Sequence, residues 1–456
     1  MCGIVGIYNN EEAANLAYMG LYAQQHRGQE SAGIVSSDNG DLHRHASLGL
    51  VSDVFKDTKD LKRLHGNLAI GHVRYSTTGD DNEKNVGPLW NYSSLLRKIL
   101  GKNYKDNRRI AVSHNGNLTN LEELHGFSDG ITDTKIIIDL LEKLTNPKDA
   151  ASLKKIICNL KGSYAFLAII GNKMIATRDV HGIRPLCFGK LGESYIFASE
   201  TCALDLLGAT YVRDVEPGEV IVLDGNNLNS YYIGEKRRSK HCIFEHVYFA
   251  RPDSKIFGQE VSVQRRNMGK QLAKENPTPD CDVVISVPDS SNIQAMAFAE
   301  TQNKKYDVGL IRNHYIGRTF IYPNQRLRDL SVKLKFNVDA SAVRGKKVAV
   351  IDDSIVRGTT LRKLTKLIIR AGAKEVHVRS CSPPVKFPCF YGMDFPTRKE
   401  LIANNKNIEE TKEELGADSL GYLSLSGLLK SAEGEDCEYC TACFSGNYID
   451  EENNHE

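Results

Sequence analysis

Cys2 directly follows Met1, and that position changes what a cysteine can do. Removal of Met1 leaves a thiol and a free α-amine on one residue. An α-amine titrates at about pH 8 and is therefore partly unprotonated near neutrality. It can take the thiol proton directly or through water, the N-terminal form of an activated nucleophile. The plain alternative is a small buried residue on an edge strand. Further segments supply the partners that such a nucleophile needs. GHVRYST at 71–77 puts Arg74 at the end of a strand-like run, where a guanidinium can hold a carboxylate in a two-pronged fork. SHNGNLTN at 113–120 puts Asn115 and Gly116 at a strand-to-turn transition. A side-chain amide and an inward-turned backbone N–H, free of a Cβ clash, suit negative charge developing on a carbonyl oxygen. Asp133 in TDTK at 132–135 has the bland reading of a helix cap.

The second half carries a different constellation. VAVIDDSIVRGTT at 348–360 runs from an apolar strand through Asp352 and Asp353 into Ser354, Arg357, Gly358, Thr359 and Thr360, then a helix. Backbone N–H groups and hydroxyls at a helix start make a phosphate site. Adjacent acids do not suit phosphate itself, but they suit ribose hydroxyls or a hydrated Mg²⁺. IDDS alone also reads as a surface Asx-turn. No GxxxxGK[ST] occurs, so a P-loop ATPase is unsupported. Residues 312–347 hold nine Lys or Arg against two acids; a solvated face or a weak nucleic-acid patch is the bland reading. Few stacking aromatics interleave the charge and no recognition fold is evident, so no nucleic-acid partner is expected.

Cys437, Cys440 and Cys443 form C-x2-C-x2-C, which fits a zinc fragment, an iron–sulfur fragment or a chance cluster; spacing does not choose. Cys158, Cys187, Cys202, Cys281 and Cys381 read by default as ordinary buried thiols.

These residues need scaffolds. Short apolar or alternating runs at 3–8, 31–36, 69–76, 110–115, 164–170, 173–178 and 195–200 predict strands, with a helix over 11–25. Residues 225–240 lose the apolar pattern and predict a domain boundary. Beyond 245, helices at 260–275, 292–303 and 359–371 alternate with strands in DVVISVPDS, KKVAVIDDS and EVHVRS, the rhythm of a parallel sheet covered by helices. A chain of 456 residues implies two domains or three. The net charge of +2 argues against a polyanion-coating protein. With 41% hydrophobic and 25% charged residues, extensive disorder and collagen-like structure are excluded. No apolar run approaches the roughly 18 residues of a spanning helix, and no signal or transit pattern opens the chain. A cytoplasmic setting without structural disulfides or membrane contact is expected. The last residues, EENNHE, read as a frayed acidic tail.

MCGIVGI, QHRGQESAG at 25–33, GHVRYST and SHNGNLTN, in that order, resemble the glutamine amidotransferase domain of the N-terminal nucleophile hydrolases over residues 2–235. The resemblance implies an αββα sandwich, Cys2 as nucleophile, Asn115 and Gly116 as oxyanion donors, and Arg74 with Asp133 holding the carboxylate and amine of glutamine. NVGPLW at 85–90 departs from the family, which commonly has Gln before Pro; Gly87 is expected to reshape the entrance to the glutamine site. The 348–360 loop, VPDSSNIQA at 287–295 and GLIRNHYIGRTFIYPNQRLRD at 309–329 resemble type I phosphoribosyltransferases over residues 245–445, with an acidic tail at 446–456.

Both halves in one chain resemble the amidophosphoribosyltransferase family, an α/β and α+β two-domain class. That resemblance implies glutamine hydrolysis, internal transfer of ammonia to 5-phosphoribosyl 1-diphosphate, and formation of 5-phosphoribosylamine, the first step of de novo purine synthesis. It also implies Mg²⁺ near Ser290, Asp352 and Asp353, a 312–347 loop closing over diphosphate, purine nucleotide feedback and a homo-oligomer, a tetramer in that family. Cys242 in HCIFEHVYFARPDS, Cys389 in KFPCFYGMD, and Cys440 and Cys443 in CTACFSG resemble the ligands of its iron–sulfur subgroup and imply a [4Fe–4S] cluster. Cys437 is then left over, without a role in that family, and a ligand set that uses it is the alternative. One rival is a glutaminase feeding a sugar phosphate, which the phosphoribosyl loop disfavours. The other is a nucleotide-sensing regulator on the same domains, which loss of Cys2 or of the paired acids would favour.

Overall fold

A computed structural model describes residues 2–75, 85–91, 109–125, 132–144, 150–234, 237–314, 335–395, 397–433 and 438–450. Two sheets make the first half. One runs Thr210–Asp214, Cys187–Leu191, Ser194–Ala198, Gly3–Tyr8, Leu68–Arg74, Ser31–Asp38 and Asp41–Leu48 in spatial order; the other runs Asn227–Tyr232, Glu219–Asp224, Lys173–Arg178, Gly162–Ile170, Ile110–Leu118 and Leu89–Trp90.

The period-two pattern explains the layers. In GIVGIY, Ile4 and Tyr8 pack with Ala111, Leu167 and Ile221 between the sheets. Val5 and Ile7 face the other way, with Leu21, Ala203 and Leu204 of the helices Ala13–Ala23 and Thr201–Leu206. The second sheet turns Val112, Phe166 and Val220 outward onto Ile137, Leu141 and Leu153 of the helices Asp133–Glu142 and Ala150–Ile157. Helix, sheet, sheet and helix are thus stacked around three apolar layers. Strands buried on both faces read as continuous apolar runs, and each fully buried Leu or Ile contributes about 2 kcal/mol.

The second half is a parallel sheet in the order Lys305–Tyr306, Val283–Ser286, Lys347–Asp352, Glu375–Ser380 and Ser419–Tyr422. Val284, Ala349 and Ile351 pack with Met268, Leu272 and Phe298 on one face; Val283, Val348 and Val350 meet Leu361, Leu364 and Ile368 on the other. No described helix is long and apolar enough to cross a membrane.

Buried ion pairs join the halves. Arg27 bonds Glu200 through Nε and approaches Glu245 at 2.7 Å through Nη2, all three with no side-chain exposure. Arg184 meets Glu245 from the far side at 3.5 Å.

Several expectations are corrected. Residues 225–240 contain the strand Asn227–Tyr232, paired to Glu219–Asp224 through a tight turn; Leu228 packs between the sheets and Tyr231 on the outer, helix-covered face, contacts that the polar residues obscured. Cys158 is exposed, because it follows the last turn of its helix rather than facing the core. Residues 312–347 are not one loop. Leu310–Arg312 pairs with Phe336–Val338, and Phe336 and Val343 are buried; residues 315–334, between those strands, lie outside the described residues, as does Cys437. The chain after 446 is no free tail up to Asp450, since Thr119 donates to Asp450 at 3.0 Å and Tyr391 Oη accepts from the Ile449 and Asp450 N–H groups. Residues 451–456 lie outside the described residues.

Candidate active sites

Gly3 pairs with Val73 across two antiparallel strands, which sets Cys2 beside Arg74 and on the same face as His72. The facing strand, Ile110–Leu118, continues through Asn115 and Gly116 instead of turning there, contrary to the expected strand-to-turn transition. Cys2 N donates to Asn115 Oδ1 at 3.1 Å. Asn115 is fully buried, and its Nδ2 has no hydrogen-bond partner among the described residues. Gly116 has φ +154°, and a Cβ there would lie 2.1 Å from Ser163 O. Only glycine fits.

Burial pushes the Cys2 thiol up, but the charge and hydrogen bonding of His72, the amino terminus and the Tyr75 backbone more than reverse it, lowering the thiol to about 6. His72 Nε2 faces His114 O at 3.1 Å and, since a carbonyl oxygen only accepts, donates to it; Nδ1 is the other ring nitrogen. A Cβ on Gly87 would lie 2.2 Å from that Nδ1. The departure in NVGPLW therefore abuts His72, directly behind the nucleophile.

His114 Nδ1 approaches Asp133 Oδ2 at 3.3 Å. Burial opposes protonation of His114, yet Asp133 and Cys2 outweigh it and raise the imidazole; burial likewise opposes the Asp133 charge, yet His114 holds it low. The cap of this helix is Thr132, whose Oγ accepts from Lys135 N; Asp133 is the first helical residue. It misses the cap because Thr132 keeps the extended backbone that a cap requires. Arg74 is buried and donates from Nη1 to Asn85 O at 3.4 Å. The five residues expected at the glutamine site thus converge at one end of the paired sheets.

In the second half, Asp352 ends its strand, and its Oδ1 accepts from Asp353 N at 2.9 Å and from Ser291 Oγ at 3.4 Å. Ser354 donates to Asp353 at 2.6 Å, and Ser290 also hydrogen-bonds Asp353. Burial raises both carboxyls, and the charge of Asp353 raises Asp352 further. A cation bound beside the pair would favour the charged form of both. Gly358 takes φ +68° just before the helix Thr359–Arg370, where Ile402 Cδ1 would lie 2.5 Å from any Cβ. Thr359 and Thr360 are exposed at that helix start, and Arg357 Nε donates to Glu400 at 2.9 Å.

Four cysteines meet at the junction of the halves. Cys242 and Cys440 are in register on adjacent parallel strands. Cys443 is buried in the same apolar cluster as Cys242, with Cys389 packed against it, and Cys443 feels the charge of Cys389, Cys440 and Cys242 in turn. Backbone N–H groups of Tyr391 and Met393 both donate to Cys389 Sγ at 3.4 Å. Among the described residues, no group of three or more His, Cys, Asp or Glu is found arranged to hold a metal ion.

Residues 102–206 match the family model described as a glutamine amidotransferase domain. The amidophosphoribosyltransferase of Bacillus subtilis is 42% identical over 98% of this chain and 94% of its own length; that of Methanothermobacter thermautotrophicus is 44% identical over 98% and 94%. The chain belongs to the amidophosphoribosyltransferase family. The solved glutamine phosphoribosylpyrophosphate amidotransferase of B. subtilis, complexed with ADP and GMP, superposes with a TM-score of 0.89 at 42% identity, covering 98% of this chain and 97% of that one. A second structure, the allosteric regulatory enzyme of purine biosynthesis, gives 0.90 at 42% identity over 98% and 96%. This amidophosphoribosyltransferase therefore joins an N-terminal nucleophile hydrolase αββα sandwich to a phosphoribosyltransferase α/β domain.

Sequence reasoning missed His72, His114 and Arg265. His72 lies two residues before Arg74, and period-two alternation could have set it on the same face. Arg265, 2% exposed, is a charge neighbour of Asp353; nothing local in the helical run around it signals that.

Proposed function

We infer that this amidophosphoribosyltransferase hydrolyses glutamine at Cys2 and transfers the ammonia to 5-phosphoribosyl 1-diphosphate, yielding 5-phosphoribosylamine, glutamate and diphosphate. The observation that carries the reading is the Cys2–Asn115 contact in one half combined with the Asp352–Asp353 loop in the other. Cys2 Sγ attacks the carboxamide carbon. The oxyanion is received by Asn115 Nδ2, buried without a partner among the described residues, and by the Gly116 peptide. The α-amine left by removal of Met1 delivers a proton to the departing ammonia, and water then releases glutamate from the thioester. Arg74 and Asp133 hold the glutamine carboxylate and amine, with His114 fixing the Asp133 carboxylate.

Ammonia displaces diphosphate from C1 of the ribosyl ring. It is already a nucleophile, so this half needs positioning and charge stabilisation more than a base. Asp352 and Asp353 bind ribose hydroxyls and the cation environment with Ser290, while Ser354, Arg357, Gly358, Thr359 and Thr360 hold phosphate. Mg²⁺, when bound, neutralises the leaving diphosphate.

Cys242, Cys389, Cys440 and Cys443 would hold a [4Fe–4S] cluster, a structural group that pins the C-terminal segment. Support comes from four clustered thiols, the paired N–H donors on Cys389 and the neighbouring Arg184 cation. Purine nucleotide feedback, a homotetramer and a cytoplasmic location complete the reading, in keeping with the ADP and GMP bound by the B. subtilis enzyme.

Product analysis with glutamine, 5-phosphoribosyl 1-diphosphate and Mg²⁺ tests it. Glutamate and diphosphate should form in equal amounts; either one without the other in the full reaction defeats the coupled scheme.

A further inference from the structure

The chain leaving Cys389 turns back on the amidotransferase half. Phe390 O accepts from Asn117 Nδ2 at 3.0 Å. Tyr391 O accepts from Ser163 Oγ at 2.8 Å and from Arg184 Nε at 2.8 Å. Asp394 Oδ2 accepts from Tyr75 Oη at 3.4 Å. Asn117, Ser163 and Tyr75 are not scattered surface contacts. Asn117 follows Gly116 in the oxyanion strand, Ser163 lies across from Asn117 on its partner strand, and the Tyr75 backbone hydrogen-bonds the Cys2 thiol.

Gly392 stands at the centre of this docking. Its φ is +91°, and a Cβ on it would lie 3.2 Å from Gly116 C, 3.3 Å from Gly116 O and 3.3 Å from Arg184 Nη2. On Gly116 itself a Cβ would lie 2.1 Å from Ser163 O of its own domain. Gly116 therefore has Ser163 O of its own domain and, at its carbonyl, a turn of the second domain as close neighbours.

We propose that the Phe390–Asp394 turn is a positioning element of the glutamine site, with Gly392 packed on the Gly116 carbonyl and so setting the backbone of the residue whose N–H receives the oxyanion. The proposal rests on the reading of Asn115 and Gly116 as oxyanion donors. Its physical basis is that an oxyanion donor acts only when held within a few tenths of an ångström of its productive place. A strand edge with a glycine in it does not hold itself that tightly. Docking the second domain supplies the missing wall, so the amidotransferase half is complete only when the phosphoribosyltransferase half is seated on it.

Gly392→Ala in the full-length enzyme tests this. The added methyl pushes on the Gly116 carbonyl carbon and oxygen while leaving Cys2 and the paired acids alone. Because the interaction is realised in the transition state, kcat for glutamine hydrolysis should fall about tenfold, with KM for glutamine within about twofold and ammonia-dependent synthesis unchanged. Gly416→Ala is the control. Gly416 has φ +68°, and an added methyl there would meet nothing within 4 Å, so it carries comparable backbone strain and should keep both activities. An unchanged glutamine kcat in Gly392→Ala, an equal loss of both activities, or a rise in KM alone overturns the proposal. If Gly392→Ala is not recovered soluble, Asn117→Ala removes the Phe390 anchor without touching Gly116. It should lower the glutamine kcat about threefold with ammonia use intact, and full glutamine activity in it overturns the proposal. Asn115→Ala separates the two failures. If it leaves kcat unchanged, the oxyanion reading itself fails; if it lowers kcat while Gly392→Ala does not, only the positioning role fails.

Discussion

The backbone nitrogen of Cys2 donates to Oδ1 of Asn115 at 3.1 Å, across 113 residues of chain. That bond decides how the Asn115 amide is turned. Its oxygen is spent on the residue that carries the nucleophile, and its Nδ2 is left buried and unpartnered among the described residues, ready for an acceptor that exists only during the reaction. Asn115→Ala should lower the glutamine-dependent kcat by about 10²-fold. Cys2→Ala should abolish glutamine use, and both variants should keep synthesis from ammonium salt at raised pH. Steady-state rates with the two nitrogen donors check this; equal loss of both in a folded variant refutes the division of labour.

The Cys2 thiol is lowered to about 6, with His72 the leading cause against burial. A lowered thiol is ionised above that pH and protonated below it. Alkylation of Cys2 by iodoacetamide, followed on the N-terminal peptide by mass spectrometry, should rise with pH and level off above about 6. His72→Leu should move the midpoint toward the ordinary thiol value of about 8.5, slowing alkylation at pH 7 by roughly tenfold or more. An unmoved profile would show that His72 does not support the thiolate.

Asp352→Asn and Asp353→Asn should each reduce phosphoribosyl transfer by about 10²-fold with either nitrogen donor, because cation and ribose placement is common to both. Glutamate release should persist. Both acids are raised by burial, so binding of Mg²⁺ with the substrate should release protons and weaken as pH falls. Calorimetry in two buffers of different ionisation enthalpy measures that release. Unaltered ammonia-dependent kinetics in both variants would reject the assignment.

Enzyme purified without oxygen should carry about four irons and four acid-labile sulfides per chain. Ser at Cys242, Cys389, Cys440 or Cys443 should lose iron and soluble protein, while Cys437→Ser keeps both. Stoichiometric zinc with no sulfide would overturn the cluster.

Arg27→Met strands Glu200 and Glu245 without their shared cation in a site with no side-chain exposure. Removing one partner of a buried ion pair costs about 3–5 kcal/mol; with His26 still on Glu200 and Arg184 still on Glu245, the low end of that range is expected in denaturant unfolding. Burial opposes the Glu200 charge, but Arg27 and then His26 hold this carboxyl far below its ordinary value. Its share of stability is present above the ordinary carboxylate pKa and is lost as pH falls toward the depressed one. Wild type should therefore lose stability on acidification more steeply than Arg27→Met.

Much of this enzyme was legible in its linear order because the decisive chemistry is local. Cys2 announces itself by following Met1. The acids 352–353 and the glycine and threonines 358–360 sit within nine residues, where strand, turn and helix start are dictated by neighbouring side chains. Alternation within GIVGIY and VAVID marked strands buried on both faces, and that is enough to distinguish the two fold classes. What short-range pattern does not carry is which partner a side chain finds across the sandwich. His72 and His114 are ordinary strand residues until two sheets face each other. Arg27 is one of several polar residues in QHRGQES until Glu200 and Glu245 close on it. The strand at 227–232 hid because an exposed edge hairpin needs few apolar residues. Gly392 carried no signal at all, since the atom it makes room for belongs to Gly116, a residue of the other domain. Pairing across sheets and between domains is settled by packing of surfaces far apart in sequence, and only the folded chain brings those surfaces together.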